Sequence, residues 1–316
     1  MMPNRISRRE LMEGAVAMAG SLAGTLASRT SQALAFKGSL EISADSTAVS
    51  SDSQTLVGKV HKAVQLRMLP KQLSYAERFN IARDAGFHYV EAYTVTNLQE
   101  ADEIKKSANA ANIKIHGVTN GLWTEWPLSS PDSSIVGKRL EAVRTSLREA
   151  SLYSGSTVLV VPALVTPAVS YREAWVRSQK SLRSVIPFAA KHKVIIAVEE
   201  VWNKFLLSPL EFAAYVDEFN SPWLKAYFDV GNVMPFGYPQ DWIRALGGRI
   251  AKIHLKDYDP KTRDFMNLGE GSVDWKAVRQ ALIDVGYSGI VTTELAPGPE
   301  PYLRDLSGRI DQLLLY

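Results

Sequence analysis

The sequence predicts a closed barrel of eight parallel strands, each followed by a helix. Short apolar segments rich in Val, Ile and Tyr recur along the chain from residue 59 onward. Amphipathic stretches of helical period separate them, so strands and helices alternate. The competing fold is a doubly wound open sheet. The count of eight units, and the lack of a G-x-G-x-x-G segment after the first strand, favour the closed barrel.

The strand segments are nearly continuous in apolar character, as is typical of parallel strands that are buried on both faces. The predicted strands are 59–66, 88–93, 113–118, 157–162, 194–199, 225–230, 250–256 and 289–295.

The intervening segments carry helix start and stop signals. A glycine ends the first one at Gly86, and prolines stand at the expected starts of two others, Pro209 and Pro239. The G-E-G turn at 269–271 is too short to indicate a phosphate loop, and it leads to Asp274 as a helix cap. The predicted helices are 75–86, 98–111, 134–153, 172–191, 209–219, 239–247, 274–285 and 303–315.

Composition narrows the functional class. The chain has 316 residues and a net charge of +3, which is too balanced to indicate binding of nucleic acid or an anionic membrane. It has no cysteine, so disulfides, thiolate metal sites and cysteine nucleophiles are excluded. Any metal must be bound by Asp, Glu, His or water.

The first 35 residues have the pattern of an export signal. S-R-R-E-L-M at 7–12 precedes an uncharged run, 14–27, that is too short for a stable membrane anchor, and A-L-A at 33–35 matches a cleavage site. The paired arginines resemble a twin-arginine signal, which predicts a periplasmic or extracellular protein. The expected organisation is a signal peptide over 1–35, a linker over 36–58 and the barrel over 59–316.

Four of the predicted strands end in residues that can bind a metal. They are Glu200, Asp229, His254 and Glu294. In a closed barrel the carboxyl ends of the strands surround one axis, so these side chains should converge. Carboxylates that close together repel one another, and a divalent cation removes that conflict.

Each of these residues alone has an ordinary explanation. A single acid is more often a helix cap or a surface ion pair, and His254 could be a core histidine. Convergence at four consecutive strand ends favours a metal site. Carboxylates with one imidazole suit Mn²⁺ best, with Mg²⁺, Co²⁺ or Zn²⁺ as alternatives.

The segments E-V-W-N-K-F, F-D-V-G-N, K-I-H-L-K-D, G-E-G-S-V-D-W and T-T-E-L resemble the xylose isomerase-like TIM-barrel superfamily, in particular its sugar (phosphate) isomerases and epimerases. The resemblance covers about residues 59–316. It implies one divalent metal bound by Glu200, Asp229, His254 and Glu294, with Glu200 and Glu294 as the acid/base pair. Glu200 is chosen over Glu199 because Asn203 follows it at the family's spacing, so Glu199 should point the other way.

The resemblance also implies substrate-binding residues. These are Asn203, Asn232, Lys256, Arg263, Trp202 and His116. Asn232 stands where many relatives have a histidine. The usual spacing from the metal-binding histidine to an arginine is missing, and Arg263 is the candidate for that role. Asp257 belongs to the same H-x-K-D pattern. Weaker candidates are Glu91, Trp123, Trp126 and Phe236.

The implied reaction is removal of a proton alpha to a carbonyl and its return by a second glutamate. Return to the opposite face gives epimerisation, and return to a neighbouring carbon gives isomerisation. Export favours a free sugar or a sugar derivative over a sugar phosphate. The resemblance also implies that the chain could form a homo-oligomer.

Four alternatives remain at this point. One is a lyase that acts on keto-sugar glycosides with the same site. The others are a non-catalytic sugar-binding barrel, a hydrolase using the two glutamates, and a nuclease of the endonuclease IV type. That nuclease type is rich in histidine ligands, whereas this chain has five histidines in all.

Overall fold

A computed structural model describes residues 55–316 of the chain. It contains the predicted closed barrel, in which eight parallel strands alternate with helices. The predicted signal peptide over 1–35, and the predicted linker up to residue 54, lie outside the described residues. None of the helices within 55–316 is long and apolar enough to cross a membrane.

The barrel strands and helices alternate in the predicted order. The strands of the barrel are β1 (Val60–Gln65), β2 (Tyr89–Tyr93), β3 (Lys114–Asn120), β4 (Thr157–Val160), β5 (Ile195–Glu199), β6 (Leu224–Asp229), β7 (Ile250–Leu255) and β10 (Gly289–Thr293). The helices are α1 (Tyr75–Asp84), α2 (Leu98–Ala110), α3 (Ser133–Leu152), α4 (Tyr171–His192), α5 (Pro209–Asp217), α6 (Pro239–Leu246), α7 (Trp275–Asp284) and α8 (Glu300–Ile310). The hydrogen-bonded order around the barrel is β1-β10-β7-β6-β5-β4-β3-β2, and β2 closes on β1.

Helix starts follow local sequence signals. Ser74 and Glu77 form a capping box at α1, and Ser170 with Glu173 does the same at α4. Asp274 caps α7 as predicted, since its side chain accepts a hydrogen bond from the backbone N–H of Ala277. Each cap satisfies backbone donors that the first helical turn leaves without a partner.

The main apolar core lies between the strands and the surrounding helices. Along each strand every second residue, such as Ile196 and Val198 on β5, points outward and belongs to this outer core. Residues of the other parity face the barrel interior, where a separate cluster contains Ala197 and Tyr227. Interior positions on other strands carry polar groups, including His116 and Thr292, which hydrogen-bond at 3.0 Å.

One supersecondary element was not predicted. After β7 the chain forms an antiparallel hairpin from β8 (Asp257–Asp259) and β9 (Asp264–Met266). The segment Y-D-P-K-T-R-D at 258–264, which covers most of β8, the turn and the start of β9, is polar and lacks the apolar alternation that marks a strand. The hairpin is fixed instead by tertiary contacts to Asp257.

Candidate metal centre and its cavity

A cavity of about 460 Å³ opens at the carboxyl ends of the barrel strands. This is the end of a (β/α)8 barrel at which active sites are built. Glu199, at the end of β5, and Glu294, directly after β10, line it. The other lining residues are Arg67, Thr119, Asn120, Gly121, Trp123, Leu159, Val161, Val201, Asn232, Lys256, Phe265, Leu295 and Ala296.

Four side chains at the base of this cavity could bind one metal ion. Their ligand atoms all lie within 4.8 Å of one another, and they are Glu199, Asp229, His254 and Glu294. Asp229 and His254 are completely buried, whereas Glu294 keeps some exposure. The predicted convergence of Asp229, His254 and Glu294 is therefore present in the structure.

The orientation predicted for the adjacent glutamates at the end of β5 is wrong. Glu199 points into the barrel, and its Oε1 lies 2.8 Å from Nδ1 of His254. Glu200 points to the other side of the strand, where its Oε1 accepts a hydrogen bond of 2.8 Å from the backbone N–H of Asp229. Glu199, not Glu200, is the β5 member of the metal-capable group. Period-two alternation decides this, because Glu199 shares its face with Ala197.

The sequence contained a signal for this orientation. Val194, Ile196 and Val198 form the more apolar parity of β5, and in a barrel covered by helices that parity faces outward. The parity of Ala197 and Glu199 must then face the interior. Spacing to Asn203 was a weaker guide than strand alternation.

The F-D-V-G-N segment fixes Asp229 and makes room for Lys256. Oδ1 of Asp229 accepts the backbone N–H groups of Gly231 and Asn232 at 2.8 and 2.9 Å. A Cβ at Gly231 would lie 2.3 Å from Cγ of Lys256, so only glycine lets that side chain pass. The Lys256 ammonium consequently lies 2.9 Å from Oδ2 of Asp229 and 2.5 Å from Oε2 of Glu294.

His254 is oriented by a carboxylate on its far side. Its Nδ1 faces the metal-capable carboxylates, at 2.8 Å from Glu199 and 3.3 Å from Glu294. Its Nε2 lies 2.8 Å from Oε2 of Glu91, and the side-chain amide of Gln65 donates to that same Glu91 oxygen at 3.0 Å. An Nε2–H that donates to Glu91 leaves Nδ1 free to bind a cation.

The charges around the group separate the pKa values of the two cavity-facing glutamates. Burial raises the pKa of Glu199 to about 7, although His254 acts against it. Burial also opposes ionisation of Glu294, but the cations Lys256, His254 and Arg67 outweigh it and hold its pKa well below the usual range. Glu294 is therefore ionised at neutral pH, while Glu199 can hold or release a proton there.

Asn232, Lys256 and Trp202, three of the residues predicted to bind substrate, lie at or beside the cavity. Asn232 and Lys256 line it. Trp202 does not line it, but its ring packs on Phe265 at a centroid distance of 4.9 Å, and Phe265 does. The side-chain amide of Asn232 also donates to the backbone carbonyl of Glu200 at 2.9 Å.

Three other predicted substrate-binding residues lie away from the cavity. Asn203 is buried and bonds the backbone, since its Nδ2 donates to the carbonyl of Ala163 and its Oδ1 accepts from the N–H of Phe205. His116 lies deeper in the barrel, where burial lowers its pKa to about 3. Arg263 is exposed in the turn between β8 and β9 and adopts a positive φ of 64°.

The weaker candidates for substrate binding also differ in whether they line the cavity. Trp123 lines the cavity, whereas Trp126 and Phe236 do not. Glu91 lies in the barrel as the partner of His254.

Sequence reasoning did not single out Arg67, Gln65 or Phe265. Arg67 follows β1 and reaches across to pair with Glu294. Gln65 bridges Glu91 and Glu294 through one amide nitrogen. For Arg67 and Gln65 the available signal was the segment Q-L-R at 65–67, which places two polar residues at the end of an apolar strand.

The donor set fits a divalent cation. Three carboxylates and one imidazole offer hard oxygen and borderline nitrogen ligands within a single ion's reach. Without a cation the three acids rely on Lys256 and on a protonated His254 for compensation. Glu199, Asp229, His254 and Glu294 are the residues that would hold the ion.

The family can be assigned once this geometry is known. The sequence model of the xylose isomerase-like TIM barrel matches residues 79–311. The chain belongs to this family. The match spans seven of the eight strand–helix units and all four metal-capable residues, which confirms the resemblance found from the sequence motifs.

Sugar epimerases are among the relatives. The L-ribulose-5-phosphate 3-epimerase of Escherichia coli O1:K1 is 24% identical over 244 residues, a match that covers 72% of this chain and 84% of the relative. The enzyme of the same name from Salmonella paratyphi A is 23% identical over 240 residues, with the same coverage.

Solved structures share the fold at low identity. The D-allulose 3-epimerase from Methylomonas sp., in complex with D-allulose, superposes with a TM-score of 0.70 at 22% identity, over 81% of this chain and 97% of that one. The 3-keto-D-glucoside 4-epimerase of E. coli superposes with a TM-score of 0.67 at 15% identity, over 81% and 98%.

Proposed function

We propose that this protein is a divalent-metal-dependent sugar epimerase. The observation that carries the proposal is the placement of Glu199 and Glu294. Both carboxylates line the cavity, from strands β5 and β10 that are separated by β6 and β7 around the barrel. Two acids that reach one substrate carbon from different sides are what inversion of that carbon requires. The epimerase names of the relatives support the same reaction class.

The chain's own groups supply the proton transfers. One of the two cavity-facing glutamates, as a carboxylate, can accept the alpha proton, while the other, carrying a proton, donates it to the opposite face. The two exchange roles in the reverse reaction. This assignment keeps the predicted glutamate-pair mechanism but replaces Glu200 with Glu199.

Other groups position the substrate and balance its charge. Lys256 lines the cavity between Asp229 and Glu294, where its ammonium can donate to a substrate oxygen. When bound, a divalent cation would polarise the substrate carbonyl and stabilise the negative charge that develops on its oxygen, and Mn²⁺ is the ion proposed. Phe265 and Trp123 give the cavity apolar walls against which a sugar ring can pack.

The test compares two isosteric variants of adjacent residues. Glu199→Gln should lower bound metal below one equivalent and reduce proton exchange from D₂O into a ketose by about 10²-fold or more. Glu200→Gln keeps an acceptor for the Asp229 N–H and should retain the metal. Elemental analysis and NMR on a panel of ketoses measure both effects, and circular dichroism checks folding.

Either of two results would overturn the proposal. One is a wild-type protein that binds no divalent metal after reconstitution. The other is a metal-loaded protein that exchanges no alpha proton of any ketose or keto-glycoside tested. A stronger loss of metal in Glu200→Gln than in Glu199→Gln would reverse the assignment of the two glutamates.

A further inference from the structure

A second cavity adjoins the candidate metal centre through Arg67. It has a volume of about 650 Å³ and lies where β1 and β2 lead into α1 and α2. Arg67 lines both cavities and also contacts Glu294. The remaining lining residues are Lys71, Leu73, Ser74, Tyr75, Arg78, Tyr93 and Glu103.

Arg78 is a buried cation without a carboxylate partner. Only 5% of the residue is exposed, and within residues 55–316 no carboxylate oxygen lies within 4.0 Å of its guanidinium. One nitrogen donates to the carbonyl of Leu66, and the guanidinium lies over the Tyr75 ring at 5.1 Å. Its Nε has no hydrogen-bond partner. A buried guanidinium normally has an anion to offset the cost of leaving water.

The rest of the cavity adds to the positive charge. Lys71 is exposed and forms no ion pair within the described part of the chain. Glu103 is the one carboxylate among the lining residues, and it is exposed. Arg67 is already paired with Glu294, so Lys71 and Arg78 against Glu103 leave the rest of the lining with a net charge of +1, which favours anions at its mouth.

We propose that this second cavity binds an oxyanion carried by the substrate, a carboxylate or phosphate ester at the end remote from the reacting carbon. The inference rests on the proposed epimerase function and narrows its substrate class to acidic sugars. A sugar with its reacting carbon at Glu199 and Glu294 would extend past Arg67 toward Lys71 and Arg78. Guanidinium and ammonium groups are the side chains that bind such oxyanions most strongly.

This inference changes one expectation from the sequence. Export favoured a free sugar or a sugar derivative over a sugar phosphate, whereas the cavity favours a sugar that carries an acidic group. A carboxylated keto-sugar would satisfy both conditions, because it is acidic without being a phosphate ester. Phosphate and carboxylate groups both accept paired hydrogen bonds from arginine, so the experiment must distinguish them.

The test uses the metal-loaded full-length protein and three substrates: a neutral ketopentose, its 5-phosphate and a ketohexuronate. The proposal expects kcat/KM to be at least about tenfold higher for one of the acidic sugars than for the neutral one. Lys71→Ala and Arg78→Lys should each reduce that preference. Lys276→Ala, an exposed lysine on α7 outside both cavities, is the matched control and should leave the preference intact.

A binding measurement separates this inference from the proposed function. Calorimetric titration of the protein with inorganic phosphate and with acetate should show saturable binding. Lys71→Ala should weaken this binding, and Lys276→Ala should leave it unchanged. Equal kcat/KM for neutral and acidic sugars, together with no anion binding, would overturn the inference while leaving the epimerase intact. A preference for phosphate or for carboxylate would identify the source of the oxyanion. Because Lys71 is exposed, its variant should fold even if Arg78→Lys does not.

Discussion

At the scale of single residues, the candidate metal centre depends on the residues that hydrogen-bond to its ligands as much as on the four metal-capable side chains themselves. Glu91 contacts Nε2 of His254 and thereby sets which ring nitrogen faces the other ligands. Burial would raise the pKa of Glu91, but His254, His116 and Gln65 together lower it to about 2, so it remains a carboxylate. An ionised partner holds the imidazole in one orientation and increases its basicity.

Replacing Glu91 should weaken metal binding without removing a ligand. Glu91→Gln is expected to reduce metal affinity by about 10–100-fold, as is typical when the partner of a histidine ligand is lost. Calorimetric titration with Mn²⁺ measures the effect.

Glu149→Gln is the matched control for that variant, because Glu149 is another buried glutamate of the barrel and does not contact His254. Unchanged Mn²⁺ affinity in Glu91→Gln would contradict the orienting role.

At the scale of elements, Asp257 connects the β8–β9 hairpin to the segment that precedes α7. Its carboxylate accepts the backbone N–H groups of Gly269 and Val273 at 2.9 and 3.0 Å and the indole N–H of Trp275 at 2.8 Å. Gly271 allows the close approach, since a Cβ there would lie 2.3 Å from Oδ1 of Asp257. The G-E-G turn is therefore organised around this aspartate, and Phe265 on the hairpin forms part of the cavity wall.

Asp257→Asn should destabilise this part of the fold. Asparagine offers one acceptor oxygen where the aspartate uses two, so at least one buried donor loses its partner. The expected loss in the free energy of unfolding is about 2–3 kcal/mol, measured by chemical denaturation.

Asp259→Asn, on the same hairpin but less buried, serves as the control and should cost about 0.5 kcal/mol or less. Equal stability of the two variants would show that the Asp257 network contributes little.

Helix α3 contains a carboxyl group whose burial makes stability depend on pH. Glu149 accepts the backbone N–H of Val95 at 3.1 Å, and burial raises its pKa to about 8. The folded state thus binds one more proton than the unfolded chain between the ordinary glutamate pKa and about 8. The stabilising contribution is present below the unfolded pKa and is lost as pH rises through the folded one.

Glu149→Gln should remove this pH dependence. The free energy of unfolding of wild type is expected to fall relative to the variant by on the order of 2–4 kcal/mol between about pH 5 and pH 9. Urea denaturation of both proteins across this range measures the difference. A constant difference would mean that Glu149 is not protonated in the folded state.

At the scale of the whole molecule, the barrel interior differs in polarity from the layer outside the strands. The interior holds a small apolar cluster that includes Leu159 and Ala197, together with buried polar groups such as Glu91 and His254. The large apolar core lies outside the strands, so the stability of the barrel does not depend on the interior polar groups alone. This division lets the centre carry closely spaced charges in a stable fold.

We also propose that the protein is exported in folded form by the twin-arginine route. Replacing Arg8 and Arg9 together with lysine should retain the protein in the cytoplasm of a bacterial host, because the twin-arginine route requires that pair. Arg5→Lys is the control and should leave export unchanged. Cell fractionation and immunoblotting measure the distribution, and undiminished export of the double variant would contradict the proposal.

Much of this architecture could be predicted from local sequence. Eight buried strand patterns, the cap at Asp274, the helix start at Pro209, and three of the four metal-capable residues follow from local sequence signals and from position at strand ends. Asn203 and His116 could not be placed in this way. A polar side chain near a strand end can bond the local backbone or the barrel interior as readily as a substrate, and only its neighbours in space decide which.

The sequence by itself determined the alternation of strands and helices, and hence which strand ends meet at one end of a barrel. Tertiary structure decided the direction in which individual side chains point and the residues that they contact. Whether Glu199 or Glu200 faces the axis depends on which face of β5 the helices cover. Arg67 and Glu294 are more than two hundred residues apart in the chain, and they meet because β1 pairs with β10 when the barrel closes. Contacts of this kind depend on closure, which no local pattern encodes.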